Sequence, residues 1–227
     1  MSVLGRRSRL PRDLALLYSG SPLSDRLQVA LRWRSCPFEA VAAFAPPAGE
    51  QLDLGCGRGI LANLLALRAS GRAVRGLDPD PRRIGTARRT IGDRRNVTFA
   101  VGKEPAPGTR FAAISLVDVL YLLYEVEWRS LLRSCRNALA PGGTLLVKTM
   151  ARRPRWKAAV DRFQETLSVR ALGWTLGSTI VPPDSDALAA ELRSLGLRVS
   201  SHPLDAGFPH PHLLLVATLP PSGGAGS

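Results

Sequence analysis

Three observations predict an α/β fold of three layers, with a mostly parallel sheet, an antiparallel C-terminal hairpin and helices ahead of the sheet. Short apolar runs recur from residue 51 onward, helical stretches of ten or so residues separate most of them, and the last two runs have no helix between them. Strands joined through helices pair parallel and lie buried on both faces, whereas two runs in quick succession pair antiparallel.

Taken in chain order, the first twelve residues hold Arg6, Arg7, Arg9 and Arg12 and no acid, and residues 1–21 are expected to be a basic flexible arm. The run Leu14 to Tyr18 is short and is closed by Ser19 and Gly20, so no secretory signal peptide is expected. From residue 22 to 45, Leu23, Leu27, Ala30, Leu31 and Trp33, then Phe38, Val41, Ala42 and Phe44, recur at steps of three and four and predict helices. Pro46, Pro47 and Gly49 end that pattern. Strands are then expected at 51–54, 73–77, 97–101, 113–117 and 143–148, with helices at 60–69, 81–91 and 128–139.

After Met150 the rhythm pauses. Residues 152–179 open on Arg152, Arg153, Arg155 and Lys157 and place Trp156, Ala159, Val160, Phe163 and Leu167 on one helical face. They are expected to form an inserted helical lid, about 150–184, within a single domain over 22–219; the alternative is a helix packed on the sheet with a solvated Arg face. A helix at 185–195 leads to the closing runs 197–201 and 213–219, joined through LDAGFPHPH. Residues 220–227, PPSGGAGS from Pro220, read as a disordered tail.

Composition narrows the function classes. The longest apolar stretch, 111–126, carries Asp118 and is short of the roughly 20 residues a spanning helix needs, so no transmembrane segment is expected. Cys36, Cys56 and Cys135 have no metal-ligand or disulfide spacing, which points to a reducing cytoplasm and no metal site. The net charge of +13 raises nucleic acid as a partner, yet 28 of the 31 basic residues are Arg, the bias of a GC-rich coding sequence.

The chemistry is concentrated in Leu52-Asp-Leu-Gly-Cys-Gly-Arg-Gly59, between the first strand and the following helix. Gly55, Gly57 and Gly59 let the backbone turn tightly against a ligand, and the helix N-terminus offers amide donors. Asp53 suits an ammonium and would repel a pyrophosphate. Asp78, about 20 residues further on at the end of the second strand, can accept both hydroxyls of a ribose. The spacing lacks the GxGxxG of nicotinamide-dependent dehydrogenases.

LDLGCGRG, Asp78, the segment Ala113 to Tyr121 and the turn-and-strand Leu139-Ala-Pro-Gly-Gly-Thr-Leu-Leu-Val147 together resemble the class I S-adenosylmethionine-dependent methyltransferase family over about two thirds of the chain. The resemblance implies a Rossmann-like seven-stranded sheet ending in an antiparallel pair, and S-adenosylmethionine as cofactor. It also implies that Asp53, Gly55, Cys56 and Gly57 hold the methionine part of the cofactor, Asp78 takes the ribose, Pro79 and Asp80 border the adenine, and Gly59 and Gly102 belong to the same cofactor site. The family's acidic residue after strand three is replaced here by Val101-Gly-Lys-Glu104, which leaves Glu104 or the Gly102 backbone for adenine. Val117, Asp118 and Tyr121 would face the cleft where cofactor and acceptor meet, unless Asp118 only caps a strand and Tyr121 only packs.

Candidate bases for an oxygen acceptor are Asp118, Tyr121, His202, His210 and His212, the last two in the rigid turn Pro209-His-Pro-His212. Trp156 and Phe163 of the lid are expected to meet the acceptor, a small or lipid-like molecule that would bring peripheral membrane contact with it. An RNA methyltransferase is the alternative, and a cofactor-binding protein without turnover is a third reading.

Overall fold

The computed structural model describes residues 9–150, 183–204, 208 and 211–221. Seven strands form one sheet in the order β3-β2-β1-β4-β5-β7-β6. β1 (Gly49–Leu54), β2 (Arg72–Asp78), β3 (Val97–Val101), β4 (Phe111–Val117) and β5 (Leu139–Met150) run parallel. β7 (His212–Thr218) pairs antiparallel with both β5 and β6 (Arg198–Pro203), as the closing runs predicted. The inner residues of β1 and nearly all of β4 are buried, the property of parallel strands covered on both faces.

One helical layer contains α4 (Ile60–Arg68) and α5 (Pro81–Arg89), and the other core cluster gathers α6 (Glu125–Ala138) and α7 (Ser185–Ser194). Ile60 through Ala66 are all buried, because α4 lies between the sheet and α1 (Arg12–Leu17) and α3 (Phe38–Ala43). A helix apolar on every side needs such a double cover. Over residues 12–18 this differs from the flexible arm expected for 1–21, of which residues 1–8 lie outside the described residues. Leu14 is fully buried, and the Tyr18 hydroxyl donates to the Arg58 carbonyl at 2.9 Å, so α1 is held in the core.

α2 (Leu23–Ser35) is one of the helices expected there. Its Leu23, Leu27 and Leu31 stripe is 76%, 58% and 48% exposed, while Val29 and Trp33 point inward. Periodicity identified the helix and not which stripe it buries. A second correction lies at β5, which begins at Leu139 rather than residue 143. The register passes from Phe111↔Leu139 to Ala113↔Thr144, so Pro141, Gly142 and Gly143 are absorbed as an irregularity, with Gly142 at φ +74°. α6 also starts at Glu125, three residues early, because the Glu127 carboxylate accepts the Tyr124 amide at 2.7 Å. The expected lid, with Trp156 and Phe163, lies outside the described residues, as do His210 and most of the tail.

Strand order reverses between β1 and β4, since β2 and β3 lie on one side of β1 and β4 and β5 on the other. The carboxyl ends of parallel strands diverge there and leave a crevice.

Candidate functional site

That crevice is a cavity of about 980 Å³, within the range of small-molecule sites. It is lined by the loop after β1, the end of β2, the segment after β4, and α2. Of the residues expected to hold the cofactor, Asp53, Gly55, Cys56, Gly57, Asp78, Pro79, Gly102, Val117 and Asp118 all line it.

The loop is shaped by its glycines and by Asp78. Gly55 stands at φ +76°, and a Cβ there would come within 2.4 Å of Val119 Cγ2, so the loop lies directly on the segment after β4. Gly57, at φ +56°, has open space around it, and its amide donates to Asp78 Oδ2 at 2.9 Å. The Asp80 amide donates to Asp78 Oδ1 at 3.0 Å. Each oxygen keeps a second lone pair for a ligand hydroxyl.

Gly59 departs from its expected place. It does not line the cavity; at φ +81° it precedes α4, and a Cβ would meet ring carbons of Phe99 at 2.7 Å. Its task is close packing of helix against sheet.

Asp53 accepts the Ala62 amide at 3.2 Å. Burial pushes its carboxyl up to about 7, the Ala62 bond counters only part of this, and the Asp78 charge adds to it. A carboxyl poised so far above its ordinary range gains from an ammonium partner. Cys56 is raised well above the thiol range by burial and by Asp53 and Asp78, which fits a small apolar lining group and not a nucleophile.

Asp118 sits at φ +58°, a left-handed conformation that Asp tolerates in tight turns. Arg32 Nη2 of α2 donates to its Oδ2 at 2.5 Å, and Lys148 Nζ of β5 donates to its Oδ1 at 2.5 Å. Burial works to raise its pKa, but Lys148 and Arg32 outweigh burial and hold it well below the carboxylate range. A carboxylate shared by two cations is a poor proton acceptor, so the geometry corrects the expected general-base role to one of positioning charge.

Tyr121 is half-buried and does not line the cavity; it lies within electrostatic range of Arg32. Val119, Leu122 and Leu123 line it instead. His202 and His212 do not line it either. The His202 ring packs at 4.6 Å from Phe44 and its Nε2 lies 2.9 Å from Ser200 Oγ, while His212 is buried opposite Met150. Glu104 lines the cavity beside Gly102 and accepts the Ser134 hydroxyl at 2.9 Å.

Sequence reasoning missed the groups that brace the site from a distance. Tyr18 supports the loop carbonyl of Arg58, and Asp25 pairs with the Arg58 guanidinium at 2.9 Å and accepts the Thr86 hydroxyl at 2.7 Å. Asn63 donates to Tyr18 and to Thr90, which joins α1, α4 and the end of α5 behind the loop. Arg32 and Lys148 were missed as well. A basic residue within a run of Arg, or at the end of a strand, carries no sequence signal of its partner.

Among the described residues no group of three His, Cys, Asp or Glu side chains could hold a metal, and no helix is long and apolar enough to cross a membrane.

Comparison with known proteins gives a consistent result. The sequence profile described as a methyltransferase domain matches residues 28–202. The trans-aconitate 2-methyltransferase of Delftia acidovorans is 31% identical over 122 residues, covering 51% of this chain and 44% of that protein. The ubiquinone biosynthesis O-methyltransferase of Pseudomonas aeruginosa is 30% identical over 115 residues, covering 48% of this chain and 47% of that protein. The aligned stretch thus spans less than half the length of either relative. Among solved structures, an O-methyltransferase family protein from Burkholderia thailandensis superposes with a TM-score of 0.70 at 18% identity, over 96% of this chain and 66% of that one. Magnesium protoporphyrin IX methyltransferase from Synechocystis PCC 6803 gives 0.64 at 15% identity, over 91% and 93%. These likenesses show the fold.

Proposed function

Because the chain belongs to the methyltransferase-domain family and has its class I fold, we propose that it transfers a methyl group from S-adenosylmethionine to an oxygen of a small or lipid-like acceptor. The observation that carries this reading is one cavity lined at once by Asp53, Gly55, Gly57 and Asp78 and by Val119, Leu122, Leu123 and Leu131. The first group fits a nucleoside that carries a free amino acid: a raised carboxyl for an ammonium, an open glycine loop, and a strand-end carboxylate with lone pairs for ribose hydroxyls. The second is an apolar wall for an acceptor.

When bound, S-adenosylmethionine supplies an electrophilic methyl on a sulfonium. The chain's own contribution is alignment and exclusion of water, the source of most of the acceleration in a displacement of this kind. The loop fixes one partner, and α2 with the turn after β4 walls in the other. One relative is named for trans-aconitate and another for O-methylation in ubiquinone biosynthesis, and both names favour a small or lipid-like acceptor. Exposed Leu27 beside the lining residue Leu31 suits peripheral contact with a lipid surface. Three buried free thiols suit a reducing cytoplasm. Trp156 and Phe163 remain proposed acceptor contacts from sequence. The charge of +13 supports the competing reading, an RNA acceptor.

Two measurements test the proposal. Titration calorimetry is expected to give micromolar binding of S-adenosylhomocysteine. Labelled methyl transfer into a cell extract is expected to partition into organic solvent and to survive ribonuclease. Label destroyed by ribonuclease would install RNA as the acceptor, and no binding would remove the methyltransferase reading.

A further inference from the structure

Arg32, Asp118 and Lys148 come from three separate segments; Arg32 and Asp118 line the cavity, and Lys148, buried and not part of the lining, reaches Asp118. Among the described residues, one carboxylate between two cations leaves one positive charge in excess; Asp118 is 7% exposed and Lys148 2% exposed, while the Arg32 side chain keeps 27% of its surface open. An excess charge so largely withdrawn from water is costly unless something completes it. Among the described residues, the other acidic side chains around the cavity are committed elsewhere: Asp53 and Asp78 shape the glycine-loop end, Glu104 accepts from Ser134, and Glu127 caps α6. The nearby Cys36 thiol is pushed up to about 11 by burial, against the pull of Lys148 and Arg32, and so adds no negative charge at neutral pH. Asp118 takes one of the five N–H donors of Arg32, and that side chain lines the cavity with its guanidinium 5.8 Å from the Phe38 ring centre.

We propose that this charge centre selects an acceptor whose reacting oxygen is acidic, a carboxylate or a phenol taken as its oxyanion, over an aliphatic alcohol. The proposal rests on the methyl-transfer reading above and names its substrate class. An aliphatic alcohol needs a base to take its proton, and Asp118 is held ionised by two cations while no described histidine lines the cavity. An acidic oxygen needs none. A phenol gives its proton to water on entering the positive field, and a carboxylate arrives without one. The oxyanion's lone pair then forms the O–C bond as the methyl C–S bond breaks, and that bond's electron pair stays on sulfur, which becomes a neutral thioether. The methylated product is neutral and no longer held by the centre. Leu31, Phe38, Leu122 and Leu123 surround an apolar body.

The test uses the full chain saturated with S-adenosylhomocysteine, and para-nitrophenol, whose phenolate absorbs in the visible. The apparent pKa of the bound dye is expected to fall by about one unit below that of the free dye. Arg32→Met and Lys148→Met are expected to abolish that shift and to change S-adenosylhomocysteine affinity less than about twofold, with Lys148→Arg restoring it. In turnover, para-butylbenzoate or para-butylphenol is expected to exceed para-butylbenzyl alcohol in kcat/KM by about 100-fold or more, the weight of one charge-assisted contact. No preference for the anions over the alcohol, or a dye bound in neutral form, overturns the proposal. It is also overturned if Arg32→Met weakens S-adenosylhomocysteine but spares methylthioadenosine, because the cation would then serve the cofactor's own carboxylate. Failure of the wild-type chain to bind S-adenosylhomocysteine would remove the parent reading, an outcome separate from these.

Discussion

The two ends of the cleft are built by opposite means. At the glycine-loop end, backbone amides from two short stretches, 57–62 and 80, and two strand-end carboxylates do the work, and the local charge is negative. At the other end, side chains separated by 86 and 30 positions converge on Asp118, and the local charge is positive. The first end suits a ligand part that does not vary; the second can be altered by changing single side chains without disturbing the loop. Cofactor affinity and acceptor choice are therefore expected to respond to separate mutations.

The largest effect that would break this separation is at Asp78. Asp78→Asn loses an acceptor for the Gly57 or the Asp80 amide and one for a ribose hydroxyl. At roughly 1.5–3 kcal/mol per bond to a charged group, S-adenosylhomocysteine affinity is expected to fall by about 100-fold or more in calorimetry. The dye shift at the Arg32 end should persist once the ligand is saturating. Loss of both would mean that the ends are not independent.

Gly59→Ala comes next. A Cβ at φ +81° and 2.7 Å from the Phe99 ring is expected to cost about 2–4 kcal/mol, seen as a lower urea midpoint with an unchanged slope. Because Gly59 does not line the cavity, ligand affinity in the folded fraction should stay within about twofold.

The smallest effect is the pH response of Asp53. Its carboxyl lies near 7 in the folded chain against about 3.9 unfolded, so the folded state binds the extra proton between those values. The sign follows: this group makes the unliganded protein less stable as pH rises from about 4 to about 7. An ammonium ligand favours the ionised form, so S-adenosylhomocysteine affinity is expected to rise about tenfold between pH 6 and pH 8 and then level off. Asp53→Asn should flatten both curves; a flat wild-type curve would take the ammonium away from Asp53.

Much of the fold was legible because its signals are local. The strand 97–101 agrees with β3 residue for residue, and the helices at 60 and 81 begin where α4 and α5 begin. The errors fall where burial depends on distant partners. Leu14 and Tyr18 lay in what read as a basic arm, since nothing in residues 1–21 announces that α4 needs a second cover. In α2, Leu23, Leu27 and Leu31 recur at the same four-residue step as Val29 and Trp33, yet only the latter two face the core. The site divides in the same way. Asp53, Gly55 and Gly57 were readable from one motif and Asp78 from its distance to it, whereas Tyr121 was expected in the cleft and lies off it, and Tyr18 and Asp25 gave no hint of their hold on Arg58.

By itself, then, the sequence determined the parallel sheet with its antiparallel close, the glycine loop and the pair Asp53 and Asp78. Those depend on side-chain periodicity and on the φ and ψ freedom of neighbouring residues, which are properties of short stretches. Only the tertiary structure decided that Gly59 serves packing, that the leucine stripe of α2 faces outward, and that Asp118 is clamped between Arg32 and Lys148. Coulomb attraction and close packing act between groups that are near in space, and the distance between positions 32, 118 and 148 is set by the fold and not by the spacing along the chain.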